Sequence, residues 1–186
     1  MTILETKRLK LIPFCDDHLA GLTAINSDPE VMTYIGNGAP MSEADSQAMI
    51  DRVKPRWTSH GFSWWSVFRK DDNLMIGAAT LQPLAAQTGA VPEIGWRLRR
   101  DCWGKGYATE AAERIVLFAK ELGIPEVVAV ANPGNIASIA VMERLGMQYR
   151  GIETHYNAPC AVYQVSLRLK TVQEAAAPLS QAGEGH

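Results

Sequence analysis

The sequence has little with which to staple itself. Its three cysteines, Cys15, Cys102 and Cys160, are odd in number, widely scattered and without C-x-x-C spacing, which excludes a disulfide framework and a structural zinc site. Charge of one sign is equally scarce: 18 Lys and Arg against 20 Asp and Glu leave a net charge of −2. No global positive field exists to hold nucleic acid or an anionic membrane, so any anion site must be local. No apolar stretch approaches the roughly 18 residues of a membrane span. The opening, Met1 to Arg8, lacks a basic-then-apolar secretory pattern. The expectation is a reduced cytoplasmic setting, with neither nucleic acid nor membrane as partner.

What is present is the composition of an ordinary globular protein: 186 residues, 47% hydrophobic and 20% charged. A chain of this size buries about 70% of its unfolded surface, enough for a core without staples. Leu9 to Phe14 reads as a strand closed near Pro13. Asp16 and Asp17 open a helix through Leu19, Leu22 and Ile25. Asn26 to Pro29 breaks it, and a short helix through Val31 and Met32 follows. Tyr34 to Pro40 is a loop by its glycines and proline. Ser42 and Asp45 form a capping-box pattern before a helix carrying Ala48, Met49, Val53 and Trp57 near one face.

From Phe62 the period changes. Trp65 to Phe68 and Leu74 to Leu81 read as strands joined at Lys70 to Asn73, and residues 83–91 as a loop. Glu93 to Arg99 alternates like a half-buried strand. Ala108 to Leu122 is the strongest helix, with Ala111, Ile115, Ala119 and Leu122 on its stripe and Gly123 as its stop. Val127 to Ala131 is a buried strand and Asn135 to Leu145 a helix. Tyr149 to Glu153 and Val162 to Leu169 are closing strands. The predicted order is β-α-α-α-β-β-β-α-β-α-β-β, one α+β domain over residues 1–170. Residues 171–186 lack apolar periodicity and read as a disordered tail.

The stretch that carries chemistry is EIGWRLRRDCWGKGYATE, Glu93 to Glu110. A strand runs into Trp103-Gly104-Lys105-Gly106-Tyr107-Ala108 and a helix follows at once. Glycines let the backbone approach a ligand closely, and the unpaired amides and dipole of the following helix favour a phosphate. Arg97, Arg99, Arg100 and Lys105 lie there against one acid, Asp101. A glycine-rich turn with a solvated basic strand end is the plainer alternative, since Gly-x-Gly alone is weak. A Rossmann fingerprint fails, because Thr109 stands where a small third residue is needed. The P-loop pattern G-x-x-x-x-G-K-[ST] is absent. In the second segment, Asn135 and Ser138 open a helix three residues apart, so they project together. Helix capping alone also explains that pair.

Jointly these segments, E-I-G-x-x-L, W-G-x-G-Y-A-T-E-A and N-x-x-S-x-x-x-M-E-x-L-G-M, resemble the GNAT acetyltransferases, nearest the RimJ/RimL-like branch of ribosomal-protein N-terminal acetyltransferases. T-x-R-L-x-L near the start, Asp28 to Met32 and Tyr34 to Gly36 fit that branch, and the resemblance spans roughly residues 5 to 169. It implies a mixed, mostly antiparallel sheet of about seven strands flanked by helices and splayed between its two central strands. It implies acetyl-CoA as cosubstrate, no metal, direct transfer to a primary amine on a small molecule or peptide, and a monomer or homodimer. Carried over residue by residue, Trp103, Gly104, Lys105, Gly106, Tyr107 and Ala108 become the pyrophosphate loop. Arg99 joins the cofactor-binding set, and Trp96 and Leu98 lie on the strand that pairs with pantetheine. Asn135 takes the pantetheine arm, and Tyr34 and Gly36 belong to the acceptor loop. The family's loop usually begins with Gln or Arg, where this chain has Trp103.

Aminolysis of a thioester needs a neutral amine. A lysine titrating near 10.4 is neutral about once in a few thousand at pH 7, an α-amine about one time in ten. A base therefore matters most for a lysine-like acceptor. Glu93 resembles the family's strand glutamate and is the candidate base, with His155 and Glu153 as runners-up. A surface carboxylate paired with an arginine is the alternative for Glu93. The tyrosine many relatives use as acid is Met142 here, so Ser138 is the substitute. Trp57, Trp64, Trp65 and Trp96 are expected in the core more than in an acceptor pocket. Cys102 is a bystander. Two rival classes remain: a non-catalytic acyl-CoA-binding module, and a dinucleotide-binding oxidoreductase fragment.

Overall fold

The computed structural model describes residues 1–168. The expected tail from Thr171, and Leu169 at the end of the last predicted strand, lie outside the described residues. The strands are β1 (Leu4–Glu5), β2 (Leu9–Pro13), β3 (Trp64–Arg69), β4 (Leu74–Pro83), β5 (Pro92–Leu98), β6 (Glu126–Ala131), β7 (Gln148–His155) and β8 (Ala158–Ser166). The helices are α1 (Leu19–Asn26), α2 (Pro29–Met32), α3 (Glu43–Val53), α4 (Arg56–His60), α5 (Tyr107–Glu121) and α6 (Ile136–Arg144). Among the described residues the strands form one eight-stranded sheet in the order β1-β2-β3-β4-β5-β6-β8-β7. The count exceeds the expected seven by the two-residue β1.

Local chemistry explains most boundaries. Ser42 accepts from the Asp45 amide while Asp45 reaches back to the Ser42 amide, so the capping box starts α3 as predicted. The single helix expected through Trp57 is two. Pro55 has no amide to continue the ladder, and α4 restarts after it to end at left-handed Gly61. Met49 and Trp57 stay buried on either side of the break. The C-terminal strands are longer than expected. Tyr156 and Asn157 both take positive φ, and this two-residue turn joins β7 and β8 at the His155–Ala158 pair.

Two cores flank the sheet. On one face Leu9, Leu11, Trp65, Leu81 and Ile94 pack with Ala111, Ile115 and Ala119 of α5. On the other Phe14, Leu22, Ile25, Met49, Ile50 and Ala78 pack with α1 and α3. Strand β5 serves both by alternation: Ile94 and Leu98 join the α5 core, while Arg97 reaches Met49 of α3.

The sheet is held unevenly. Strands β4 and β5 pair antiparallel over seven consecutive positions. Strands β5 and β6 run parallel and share one register pair, Glu93 with Val128. Beyond it the two central strands part, and from Ile94 onward one edge of β5 has no strand beside it among the described residues.

Candidate active site

A cleft of about 1200 Å³ opens at that split. At one end stands the N-terminus of α5. Gly104 and Gly106 hold φ of +71° and +79°, a region where a Cβ is strained. No side chain caps α5. Its first hydrogen bond runs from the Glu110 amide to the Gly106 carbonyl at 3.1 Å. The amides of Tyr107, Ala108 and Thr109 therefore precede the helical ladder, at the positive end of the dipole. A Cβ on Gly104 would meet nothing within 4 Å, so the loop faces open space. These features fit a diphosphate.

The loop is braced from a distance. Glu110 accepts from the Thr6 hydroxyl at 2.6 Å, the Arg8 amide at 2.8 Å and Arg8 Nε at 2.6 Å. Arg8 Nη1 also donates to the Lys105 carbonyl at 2.9 Å, and its guanidinium lies 4.5 Å from the Tyr107 ring centroid. Burial is the largest influence on Glu110 and raises its pKa, but those donors outweigh it and hold the carboxyl below its usual range.

Of the residues singled out from sequence, Trp96, Leu98, Trp103, Gly104, Gly106, Tyr107, Ala108, Asn135, Ser138 and Tyr34 line the cleft. Arg99, Lys105, Gly36 and Glu93 do not. The expected pool of cations at the loop is dispersed. Arg99 pairs with Asp101, Arg100 with Glu30, and Arg97 is buried beneath the sheet's other face. Besides Arg97, the cations lining the cleft are Lys7, Arg8 and Arg144, which sequence proximity could not reveal. Asn135 does cap α6, accepting from the Ser138 amide at 3.1 Å, so capping and cleft lining coexist. Met142 is core at 1% exposure. Trp57 and Trp65 are core as expected, whereas Trp64 and Trp96 are half-buried. Trp103 is exposed and donates Nε1 to the Leu98 carbonyl at 2.9 Å. Burial pushes the Cys102 thiol up, away from nucleophile behaviour.

Glu93 lies at the closed end of the split, 7% exposed. Its partner is a hydroxyl and not an arginine: Tyr156, from the β7–β8 turn, donates to Glu93 Oε2. Behind it a relay runs through Gln82, whose Nε2 donates to the Tyr156 oxygen at 3.3 Å. Gln82 Oε1 accepts from Arg56 Nη1 and Trp64 Nε1, both at 2.9 Å. Burial raises the Glu93 pKa against these hydrogen bonds. His155 and Glu153 bond to each other at 3.1 Å. Sequence reading passed over Tyr156; the Asn157 beside it, a residue that tolerates positive φ, was the available signal for the turn that aims it. Among the described residues no group of three or more His, Cys, Asp or Glu is placed to hold a metal ion.

A strand pair split over an uncapped, glycine-led helix is the arrangement that the resemblance to the acetyltransferases implied. Residues 8–148 match the Acetyltransferase (GNAT) domain, and the chain belongs to the GNAT acetyltransferase family. The Bacillus subtilis (strain 168) protein YkkB is 31% identical over 165 residues, 88% of this chain and 95% of its own. The FsC-acetyl coenzyme A-N(2)-transacetylase of Aspergillus fumigatus is 32% identical over 162 residues, 83% of this chain and 67% of its own. RimL, the ribosomal L7/L12 α-N-protein acetyltransferase solved with coenzyme A, shares the fold at a TM-score of 0.73 and 16% identity, over 89% of this chain and 98% of its own. The expectation of an acyltransferase with a GNAT fold therefore holds. Among the described residues no helix is long and apolar enough to cross a membrane.

Proposed function

We propose that the protein carries acetyl from acetyl-CoA directly to a primary amine of a small molecule or a peptide N-terminus, with residues 1–170 as one catalytic domain. The observation that carries the reading is the uncapped start of α5 facing a cleft at the parting of β5 and β6. The amides of Tyr107 to Thr109 take the diphosphate, and the free edge of β5 at Trp96 and Leu98 pairs with the pantetheine amides as an added strand would. Asn135 offers its amide nitrogen to the same arm. Acetyl-CoA supplies an activated acyl group and a good leaving thiol.

Glu93 takes the amine's proton, directly or through water, while Tyr156 and Gln82 fix its carboxylate. Ser138, lining the cleft from the first turn of α6, donates a hydrogen bond to the departing sulfur and relays a proton to it from water, regaining its own as it does so, while Glu93 later releases the amine's proton to solvent. The departing sulfur needs only modest help, because a thiol titrates near about 8.5. Free Cys15, Cys102 and Cys160 suit a reducing compartment such as the cytoplasm.

Calorimetric titration tests donor binding: heat with acetyl-CoA and none with NAD(H) is expected. An amine panel read by thiol release then tests transfer. Absence of heat with acetyl-CoA defeats the reading. Tight binding without thiol release on any amine marks a binding module instead.

A further inference from the structure

Arg97 is a buried cation without a counter-ion among the described residues. It is 7% exposed, and burial is the one influence on it, lowering its pKa to about 10, so the guanidinium stays charged at neutral pH. Its recorded hydrogen bond among the described residues is Nη2 to Met49 Sδ at 3.0 Å, and a thioether is a weak acceptor. Nε is buried with no partner at all among the described residues. The Trp64 ring lies 5.4 Å away and steadies the guanidinium. Of the acids lining the cleft, Glu30 pairs with Arg100 and Glu110 with Arg8, and Glu113 makes no ion pair with Arg97 among the described residues. A charge left this way is expensive unless something pairs with it.

Arg97 also lines the cleft, on the face of the sheet opposite α5. The register sets Glu93, Gly95 and Arg97 on that one face, opposite Gln82, Thr80 and Ala78 of β4. Gly95 puts no side chain between the candidate base and the guanidinium. The diphosphate cradle belongs to the start of α5, so an anion meeting Arg97 comes from the other substrate.

We propose that Arg97 binds an oxyanion carried by the acceptor, a carboxylate in its simplest form, so that the enzyme acetylates amines that are also acids. This rests on the acetyltransferase reading and names the acceptor class within it. The planar fork of donors matches the two oxygens of a carboxylate, and the dry surroundings strengthen the pair. An amine without the oxyanion leaves the guanidinium unpaired, which is how a site built for a polar group rejects a substrate lacking it. The same fork accepts a phosphate, so matched probes separate the two sources.

The test uses the full chain with saturating acetyl-CoA and matched amines: amino acids against their α-carboxamides, β-alanine against n-propylamine, and O-phosphoethanolamine against ethanolamine. Thiol release gives kcat/KM for each. The acidic member of at least one pair is expected to be favoured at least tenfold. Preference in the first two pairs marks a carboxylate, in the third a phosphate. R97M is expected to bind acetyl-CoA within twofold of wild type and to lose the preference, with R97K keeping a reduced one. Acetyl-CoA binding with equal use of both members of every pair, no turnover of any acidic amine, or an undiminished preference in R97M overturns the proposal while leaving the donor site standing. Absence of acetyl-CoA binding removes the acetyltransferase reading and this one with it. Should R97M fail to fold, the wild-type comparison and R97K still decide.

Discussion

Two forces meet on the Glu93 carboxyl. Burial raises its pKa and outweighs the hydrogen bonds from Tyr156, the Ala85 backbone and Gln82 that lower it. A base must be ionised to act, so kcat at saturating acceptor should climb as pH rises through that raised value. Tyr156→Phe removes the first of the opposing hydrogen bonds, and its acid limb should move to higher pH. Glu93→Gln should abolish the limb and cut kcat by about 10²- to 10⁴-fold. A limb unmoved in both variants takes the base role from Glu93. The same shift has a stability consequence. Between the unfolded value near about 4.3 and the raised native one the native state holds the extra proton, so stability falls as pH rises through that window. Ser138 carries a lighter load. Its replacement by Ala should cost at most about 100-fold in turnover; a loss far beyond that in kcat would assign it more than leaving-group protonation.

The glycine-led turn works as an element only because another element holds it. Thr6 and Arg8, from the β1–β2 connection, satisfy Glu110 in the first turn of α5. Glu110→Gln removes the carboxylate's charge and should destabilise by about 1–3 kcal/mol at pH 7. Its native pKa is lowered, so the stabilisation is full above the unfolded value and fades as pH falls through the native one. Melting curves of wild type and variant should therefore converge toward acid; a gap independent of pH refutes the brace. This contact also shows what the sequence could and could not tell. Local rules located α5, the Ser42 capping box and the turn at Gly104 to Gly106, because caps, stripes and glycines act over a few residues. The T-x-R-L opening was legible as a likeness, but its bond to a glutamate more than a hundred positions away was not. Cations adjacent in sequence around Arg97 to Lys105 separate in space, because alternation sends Arg97 to one face and nearby acids take Arg99 and Arg100. Tyr156 reached Glu93 only through a tertiary fold that no local period encodes.

At the scale of the molecule the sheet is two unequal halves. Strands β1 to β5 form one, β6, β8 and β7 the other, with long antiparallel ladders inside each and the single Glu93–Val128 pair between them. Opening there costs fewer hydrogen bonds than opening within either half, so the seam should be the weak line of the native state. It is also where the donor binds in the proposed reaction, and a donor seated in the split replaces the missing ladder. Two effects on hydrogen exchange should then be separable. Amides that exchange through global unfolding should slow by about 100-fold at a ligand concentration of 100 Kd, the equivalent of about 2.7 kcal/mol. The amides of Trp96 and Leu98, on the edge of β5 away from β4, and those of the first turn of α5 should exchange quickly in the free protein and gain more protection than the global term provides. Protection spread evenly over the chain, or concentrated in the β1–β4 half, would place the donor elsewhere and separate the split in the sheet from the chemistry assigned to it.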